Sequence, residues 1–399
     1  MRIADWIGRA SIRAYAIADR TVPLKSAIRN PQSEIIATMR IILAGGGTGG
    51  HLMPALALAQ ALAAARADVE PVLVGAERGI EAQLLPRYPF RYALLPIEPI
   101  YRSRWWKNLR WPLIAGQVWR SVGRVLDAER PALVIGTGGY AAGPVVWRAA
   151  RRGIPTVLQE QNAFPGLTTR WLARRARQVH LGFPEARERL RPGRGTEVFA
   201  LGNPIRPPAP GDRAAAARQL GLVAERPTLL VFGGSQGARA INYAMAGALE
   251  RRLLGDVNVL WGTGAAQAAA LARYAVPGRV VVRGFFDPMT EVYGAADLVV
   301  ARAGAITVAE LCAWGKAGIL VPLPTAAGDH QSYNARALAE AGAAVHLPER
   351  DLSPYTLAGH VTGLLADPPR LESLAARARD RGHPNAVRDI VSRILTLLV

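Results

Sequence analysis

From Met39 onward the chain alternates short apolar runs with stretches of helical periodicity. Runs at Ile41–Ala44, Pro71–Gly75, Ala132–Gly136, Thr156–Leu158 and Gln178–Leu181 have the length of buried strands. Strands that are apolar on both faces belong to parallel sheets covered by helices. The pattern halts at Leu201–Arg213, "LGNPIRPPAPGDR", where four prolines in a short polar stretch read as a linker or hinge. It restarts at Thr228–Phe232 and continues through Val257–Trp261, Val280–Arg283, Leu298–Ala301 and Gly318–Val321. The expected fold class is α/β: two Rossmann-like, doubly wound domains facing a cleft, with ligands at the carboxyl ends of the strands. The expected division is an extension at 1–38, a first domain at 39–205, a second at 206–380, and a C-terminal helix at 381–399 packing back on the first domain. The polar, Arg-bearing segment before Met39 lacks a strand pattern. It is expected to lie outside the functional protein, as an upstream translation start or a loosely ordered extension.

Three glycine-rich turns follow strands: Gly45–Gly50, Gly136–Gly143 and Gly233–Gly237. Glycine lets a ligand approach the backbone, and a helix starting after such a turn points N–H groups at an anion. Each alone is equally well a tight strand-to-helix turn, whereas three of them favour a phosphorylated ligand. The first satisfies G-x-G-x-x-G through Gly45, Gly47 and Gly50. A dinucleotide site also needs an acid ending the second strand, and Glu70 comes too early while Glu77 comes late. No turn has the P-loop pattern. Pro54 is expected in the first helical turn, which puts Thr48, Gly49, Gly50 and His51 in the loop ahead of the helix.

"ARAGAITVAE", Ala301–Glu310, enters a helix. Thr307 and Glu310 fit a T-x-x-E capping box, which explains both without a ligand. Alternatively this helix start faces a nucleotide diphosphate and Glu310 accepts from a ribose diol.

Composition narrows the class. Half of the 399 residues are hydrophobic and 20% are charged, as in ordinary globular proteins. The single Cys312 excludes a disulfide scaffold and suits a reducing cytoplasm. The net charge of +19 is carried mostly by Arg, and reads either as a high-GC codon habit or as an anionic partner. The first residues, with Asp5 and Asp19, form no secretory signal, and no apolar run spans a bilayer. Any membrane contact is therefore expected to be peripheral. The stretch Ile100–Ser121 holds four of the nine tryptophans, interleaved with Arg and Lys. It reads as a core helix with snorkelling arginines, as a basic aromatic membrane face, or as a nucleic-acid surface.

Seven ordered blocks carry a resemblance: "GGTGGH" (Gly46–His51), "GGYAAGP" (Gly138–Pro144), "EQNAFPGLTTRWLA" (Glu160–Ala173), "GNPIR" (Gly202–Arg206), "GGSQGARAIN" (Gly233–Asn242), "GAITVAEL" (Gly304–Leu311) and "DHQSYNA" (Asp329–Ala335). From Met39 to near its end the chain resembles the MurG family of GT-B glycosyltransferases. The resemblance implies inverting transfer of N-acetylglucosamine (GlcNAc) from UDP-GlcNAc to the C4 hydroxyl of the MurNAc unit of lipid I, giving lipid II in peptidoglycan synthesis. The first domain would serve the acceptor and membrane, and the second would bind UDP-GlcNAc. By the family pattern, Thr48, Gly49 and Gly50 contact the donor or the reacting region, and Asn162 and Arg206 line the donor site. Ser235 binds a phosphate, and Phe286 sits where uracil is held. Ala305, Ile306, Thr307, Val308, Ala309 and Glu310 hold the diphosphate and ribose, and Gln331 reads the GlcNAc hydroxyls. Many relatives have His where this chain has Gln159, which puts an ionisable role there in doubt.

His51 is the expected general base, because imidazole titrates near neutrality. The alternative is a histidine that caps the helix or orients the acceptor diphosphate. The Ser235 loop, the Thr307 helix start and Arg206 are expected to stabilise departing UDP. There is no DxD-type pair, so no metal or cofactor is required by this argument, and a divalent cation is stimulatory at most. Trp105, Trp106, Arg110 and Trp111 are expected to face an anionic membrane on the cytoplasmic side of the cell membrane. No nucleic-acid partner is expected, and cell-wall synthesis proteins are candidate partners. The runner-up readings are a GT-B transferase acting on another lipid or natural-product acceptor, a Rossmann oxidoreductase, and a non-enzymatic basic binder.

Overall fold

The computed structural model describes residues 38–98, 110–209, 211–234 and 237–398. Thirteen strands form two sheets among these residues. The first contains β1 (Met39–Gly45), β2 (Val69–Ala76), β3 (Arg91–Leu95), β4 (Leu133–Gly138), β5 (Thr156–Glu160), β6 (Gln178–Leu181) and β7 (Glu197–Ala200). Its order is β3-β2-β1-β4-β5-β6-β7. The second contains β8 (Thr228–Phe232), β9 (Asn258–Gly262), β10 (Val280–Arg283), β11 (Leu298–Ala301), β12 (Ala317–Leu320) and β13 (Val345–His346), ordered β10-β9-β8-β11-β12-β13. Every ladder of the second sheet is parallel, as are β1–β2, β2–β3, β1–β4, β4–β5 and β6–β7 of the first.

Ile41–Ala44 and Leu229–Val231 are fully buried, as central strands covered on both faces must be. In each sheet the order reverses beside the first strand: β1 lies between β2 and β4, and β8 between β9 and β11. The loops leaving β1 and β4, and those leaving β8 and β11, therefore open at the switch point where α/β sheets bind ligands. Every strand expected from apolar runs is present. β3, β7 and the two-residue β13 were not legible that way, because they are edge strands: Arg91 and Tyr92 of β3, and Glu197 and Ala200 of β7, are exposed.

One boundary differs from expectation. The first helix runs Gly49–Ala65, so Pro54 is its sixth residue and not part of its first turn. The N–H groups of His51 and Leu52 both donate to the Thr48 carbonyl, at 3.2 Å, which starts the helix at the glycines themselves. Gly49, Gly50 and His51 are therefore its first turn, with Thr48 at the N-cap, and are not a loop ahead of it. Pro54 only removes the donor that would have reached Gly50.

The chain forms two compact units. The first runs to Leu158 and includes Arg175–Arg177 and the residues from Arg393; the second is Gln159–Arg174 with Gln178–Ser392. The proline-rich linker is buried at its start, from Gly202 to Ile205, and its described residues carry no helix or strand before Arg213. Among the described residues no helix is long and apolar enough to cross a membrane.

Candidate active site

In the first unit, the loops after β1 and β4 interlock. Gly139 opens the helix Gly139–Arg151 with φ +76°, and a Cβ there would lie 1.9 Å from the Gly46 carbonyl oxygen. A Cβ on Gly47, at φ +89°, would lie 2.3 Å from the Tyr140 ring. Between the loops stands Thr137, fully buried, whose hydroxyl donates to the His51 carbonyl at 2.8 Å. The His51 ring answers in the other direction: Nδ1 lies 3.2 Å from the Thr137 carbonyl oxygen. A carbonyl only accepts, so Nδ1 carries the proton and Nε2 is the basic nitrogen of the neutral ring. His51 is half-buried at a helix start, a position suited to taking a proton from a substrate hydroxyl.

Glu81 was not singled out from sequence. It is fully buried, and its Oε1 accepts from the Gly47 N–H. Its side chain fills space that a Cβ at Gly46, Gly75 or Gly79 would occupy, which explains those three glycines together. This carboxylate braces the glycine loop from beneath.

In the second unit, the helix Ala305–Trp314 leaves β11 through Arg302–Gly304. Its N-cap is Gly304, in extended conformation and with no side chain to cap it. The capping box is therefore not formed: Thr307 is the third helical residue, because the helix begins directly behind the strand and not after Thr307. The N–H groups of its first turn are left for another acceptor. Ala305 and Val308 are buried, while Ile306, Thr307 and Ala309 are partly exposed.

Glu310 follows on this helix, and its Oε2 accepts from the Tyr293 hydroxyl at 2.9 Å. Desolvation raises its carboxyl to about 7, against the hydrogen bond from Tyr293 and the positive charge of Arg206, which both favour the ionised form. Burial and the neighbouring carboxylate hold the Tyr293 hydroxyl well above its ordinary range, so it remains a donor. Arg206 itself is exposed.

Two buried asparagines bind these pieces together. Asn334, fully buried, donates to Asn162 Oδ1 at 3.2 Å and to the Ala303 carbonyl at 3.0 Å, and accepts from Ala163 N at 2.9 Å. It so fixes Asn162 beside the turn that precedes the Ala305 helix. Asn203 donates to the carbonyls of Gln161, at 2.9 Å, and Ala305, at 3.4 Å. Both lie in quoted blocks, "DHQSYNA" and "GNPIR", yet nothing in a single sequence separates such hubs from ligand-binding asparagines. Arg302, nearly buried, donates to the carbonyls of Val321 and Pro322 and pairs with Glu349, tying the loop after β12 to the same turn. On that side Gln331 Oε1 accepts from Leu323 N at 3.0 Å. Phe286 is 2% exposed and packs over Gly262, so its ring is core. Gln159 is also buried, its amide donating to the Gly202 carbonyl at 3.3 Å, which gives this non-ionisable residue a structural task. Ser235, Trp105 and Trp106 lie outside the described residues. Among the described residues no three His, Cys, Asp or Glu side chains gather where they could hold a metal ion.

The described end of the tryptophan-rich stretch is the amphipathic helix Trp111–Glu129, which buries Ile114, Val118, Val122 and Leu126 on one face. Arg110, exposed, precedes it, and Trp111 is half-buried. Trp119 packs 5.1 Å from Trp147, and Arg148 lies 4.4 Å over the Trp119 ring. The core-helix reading thus holds for one face of the helix, while Arg120 and Arg124 stay exposed on it. In the second unit, Leu167 and Trp171 are 69% and 75% exposed, with Arg170 and Arg174 exposed beside them in sequence.

Comparison with known proteins fits this arrangement. Residues 41–181 match the glycosyltransferase family 28 N-terminal domain and residues 228–394 its C-terminal domain. A protein of Chlorobaculum parvum is 40% identical over 364 residues, 90% of this chain and 99% of the relative. One of Prosthecochloris aestuarii is 42% identical over the same shares. Both are named UDP-N-acetylglucosamine–N-acetylmuramyl-(pentapeptide) pyrophosphoryl-undecaprenol N-acetylglucosamine transferase. The crystal structure of Acinetobacter baumannii MurG superposes with a TM-score of 0.73 at 30% identity, covering 90% of this chain and 99% of that one.

Proposed function

Because the chain belongs to the MurG branch of glycosyltransferase family 28, we propose that it transfers GlcNAc from UDP-GlcNAc to the C4 hydroxyl of MurNAc in lipid I, undecaprenyl-diphospho-MurNAc-pentapeptide, forming lipid II with inversion. The observation that carries the reading is the Ala305 helix: its start is uncapped at Gly304 while Glu310, on the same helix, presents a carboxylate held by Tyr293. That combination suits a diphosphate beside a ribose diol.

In this reading the first-turn N–H groups of Ala305, Ile306 and Thr307, the Ser235 loop and Arg206 receive the diphosphate. Val308 and Ala309 continue the helix to Glu310, which accepts from the ribose. The Phe286 backbone meets uracil, and Gln331 and Asn162 meet the sugar. Thr48, Gly49 and Gly50 adjoin the reacting centre. The acceptor O4 attacks the anomeric carbon as the bond to the UDP oxygen breaks, and His51 Nε2 takes the O4 proton. Charge developing on UDP is met by dipoles already in place, with no metal or other cofactor in the scheme. A divalent cation would act by screening the diphosphate.

The enzyme works as a peripheral protein on the cytoplasmic face of the cell membrane. Support comes from the basic, tryptophan-bearing region around Arg110 and Trp111 and from the exposed Leu167 and Trp171 among arginines. Trp suits the headgroup zone and Arg meets anionic lipid. The test is transfer of labelled GlcNAc to a lipid I analogue, alongside the same analogue lacking the C4 hydroxyl. Label is expected in the first only. Equal labelling of both, or labelling of neither, refutes the assignment.

A further inference from the structure

Tyr293 lies in the short helix Met289–Ala295 and is 1% exposed. Its ring stacks on Trp314, with centroids 5.9 Å apart and planes at 30°, and meets Phe232 edge-on at 6.2 Å. Trp314 is the last residue of the helix that carries Glu310, one turn before it. The tyrosine is thus held at two points of one helix, by its ring at Trp314 and by its hydroxyl at Glu310 Oε2. A buried phenol needs a hydrogen-bond partner, and this one has spent its proton on a single carboxylate oxygen.

We propose that Tyr293 is a positioning residue for the donor: by occupying Oε2 of Glu310 it fixes the carboxylate plane so that the other oxygen meets the vicinal hydroxyls of a nucleoside diphosphate's ribose. The inference rests on the donor-site reading above and adds a residue that touches no substrate. Among the described residues, two side chains act on the Glu310 charge. Tyr293, from the neighbouring helix, and Arg206, from the linker, both favour its ionised form. A carboxylate free to rotate accepts from a diol less well, because the ordering cost then falls on binding.

The test uses Tyr293→Phe, which keeps the ring contacts with Trp314 and Phe232. UDP and 2′-deoxy-UDP binding are measured by calorimetry for the whole protein across pH. The wild type is expected to prefer UDP by about tenfold, as one hydrogen bond to a charged group allows. In Tyr293→Phe that ratio should fall to about twofold. The pH at which UDP affinity is lost should rise, since a bond favouring the ionised form is gone. The KM for UDP-GlcNAc should rise about tenfold while kcat falls less than about threefold. Retention of both the full preference and the wild-type pH profile in Tyr293→Phe overturns the proposal. Glu310→Gln, which keeps Tyr293, gives a second route: Tyr293→Phe added to it should cost no further ribose preference, and a further loss as large as in the wild-type background overturns the proposal. Absence of any ribose preference in the wild type sinks the donor-site reading itself, a failure distinct from an unchanged Tyr293→Phe.

Discussion

His51 Nδ1 lies 3.2 Å from the carbonyl oxygen of Thr137, while the Thr137 hydroxyl donates back to the His51 carbonyl at 2.8 Å. The pair locks the imidazole of the first helical turn to the end of β4. It also fixes the tautomer, because the acceptor is a main-chain carbonyl that no side-chain substitution removes.

His51→Ala is expected to lower kcat by about a hundredfold or more, the range of a lost general base, and to leave UDP affinity within about twofold. Steady-state kinetics at saturating donor, with calorimetry for UDP, read both. A near-normal kcat would assign His51 to positioning only.

Donor binding should depend on pH through Glu310. Its carboxyl is raised to about 7, so it is ionised above that value and protonated below it. Ribose hydroxyls donate to the ionised form. The affinity for UDP-GlcNAc should therefore fall about tenfold as pH drops from about 8 to about 6. Affinity that strengthens on acidification would mean that a protonated Glu310 donates to the ligand instead.

Gly139→Ala sets a Cβ against the Gly46 carbonyl at a residue with positive φ. The backbone strain and the clash together should cost about 2 kcal/mol or more and lower the melting temperature. Gly49→Ala, where a Cβ meets nothing within 4 Å, is the matched control and should melt within a few degrees of wild type.

Glu81→Ala removes the acceptor for the Gly47 N–H and empties the space beneath Gly46, Gly75 and Gly79. A loss of about 1–3 kcal/mol is expected in urea unfolding, with UDP binding unchanged because Glu81 belongs to the first unit. A weakened UDP affinity would place Glu81 in the donor's service.

The protein should sediment with vesicles containing anionic lipid and be released by high salt, while neutral vesicles leave it in solution. Trp171→Ala should weaken retention, since its side chain is exposed and holds no core. Equal retention on neutral vesicles contradicts the basic-face reading.

The sheets were legible because Ile41–Ala44 and Leu229–Val231 are buried on both faces, and burial of that kind writes an apolar run. The start of the first helix was misjudged because Pro54 carries a strong local preference, which the glycines before it overrode. Thr307 and Glu310 satisfied a capping pattern by spacing, and only the position of Gly304 showed that the cap is not made. Glu81, Asn334 and Tyr293 escaped notice for one reason. Each acts through a partner distant in sequence, and their surroundings in the chain look like any helix or turn.

The most direct measurement is the linkage formed when the protein is given UDP-GlcNAc labelled at the anomeric carbon and a lipid I analogue. The account predicts a product with GlcNAc joined in the β configuration to O4 of MurNAc, with release of one UDP per linkage. An α linkage, or UDP released with only free GlcNAc, would contradict it.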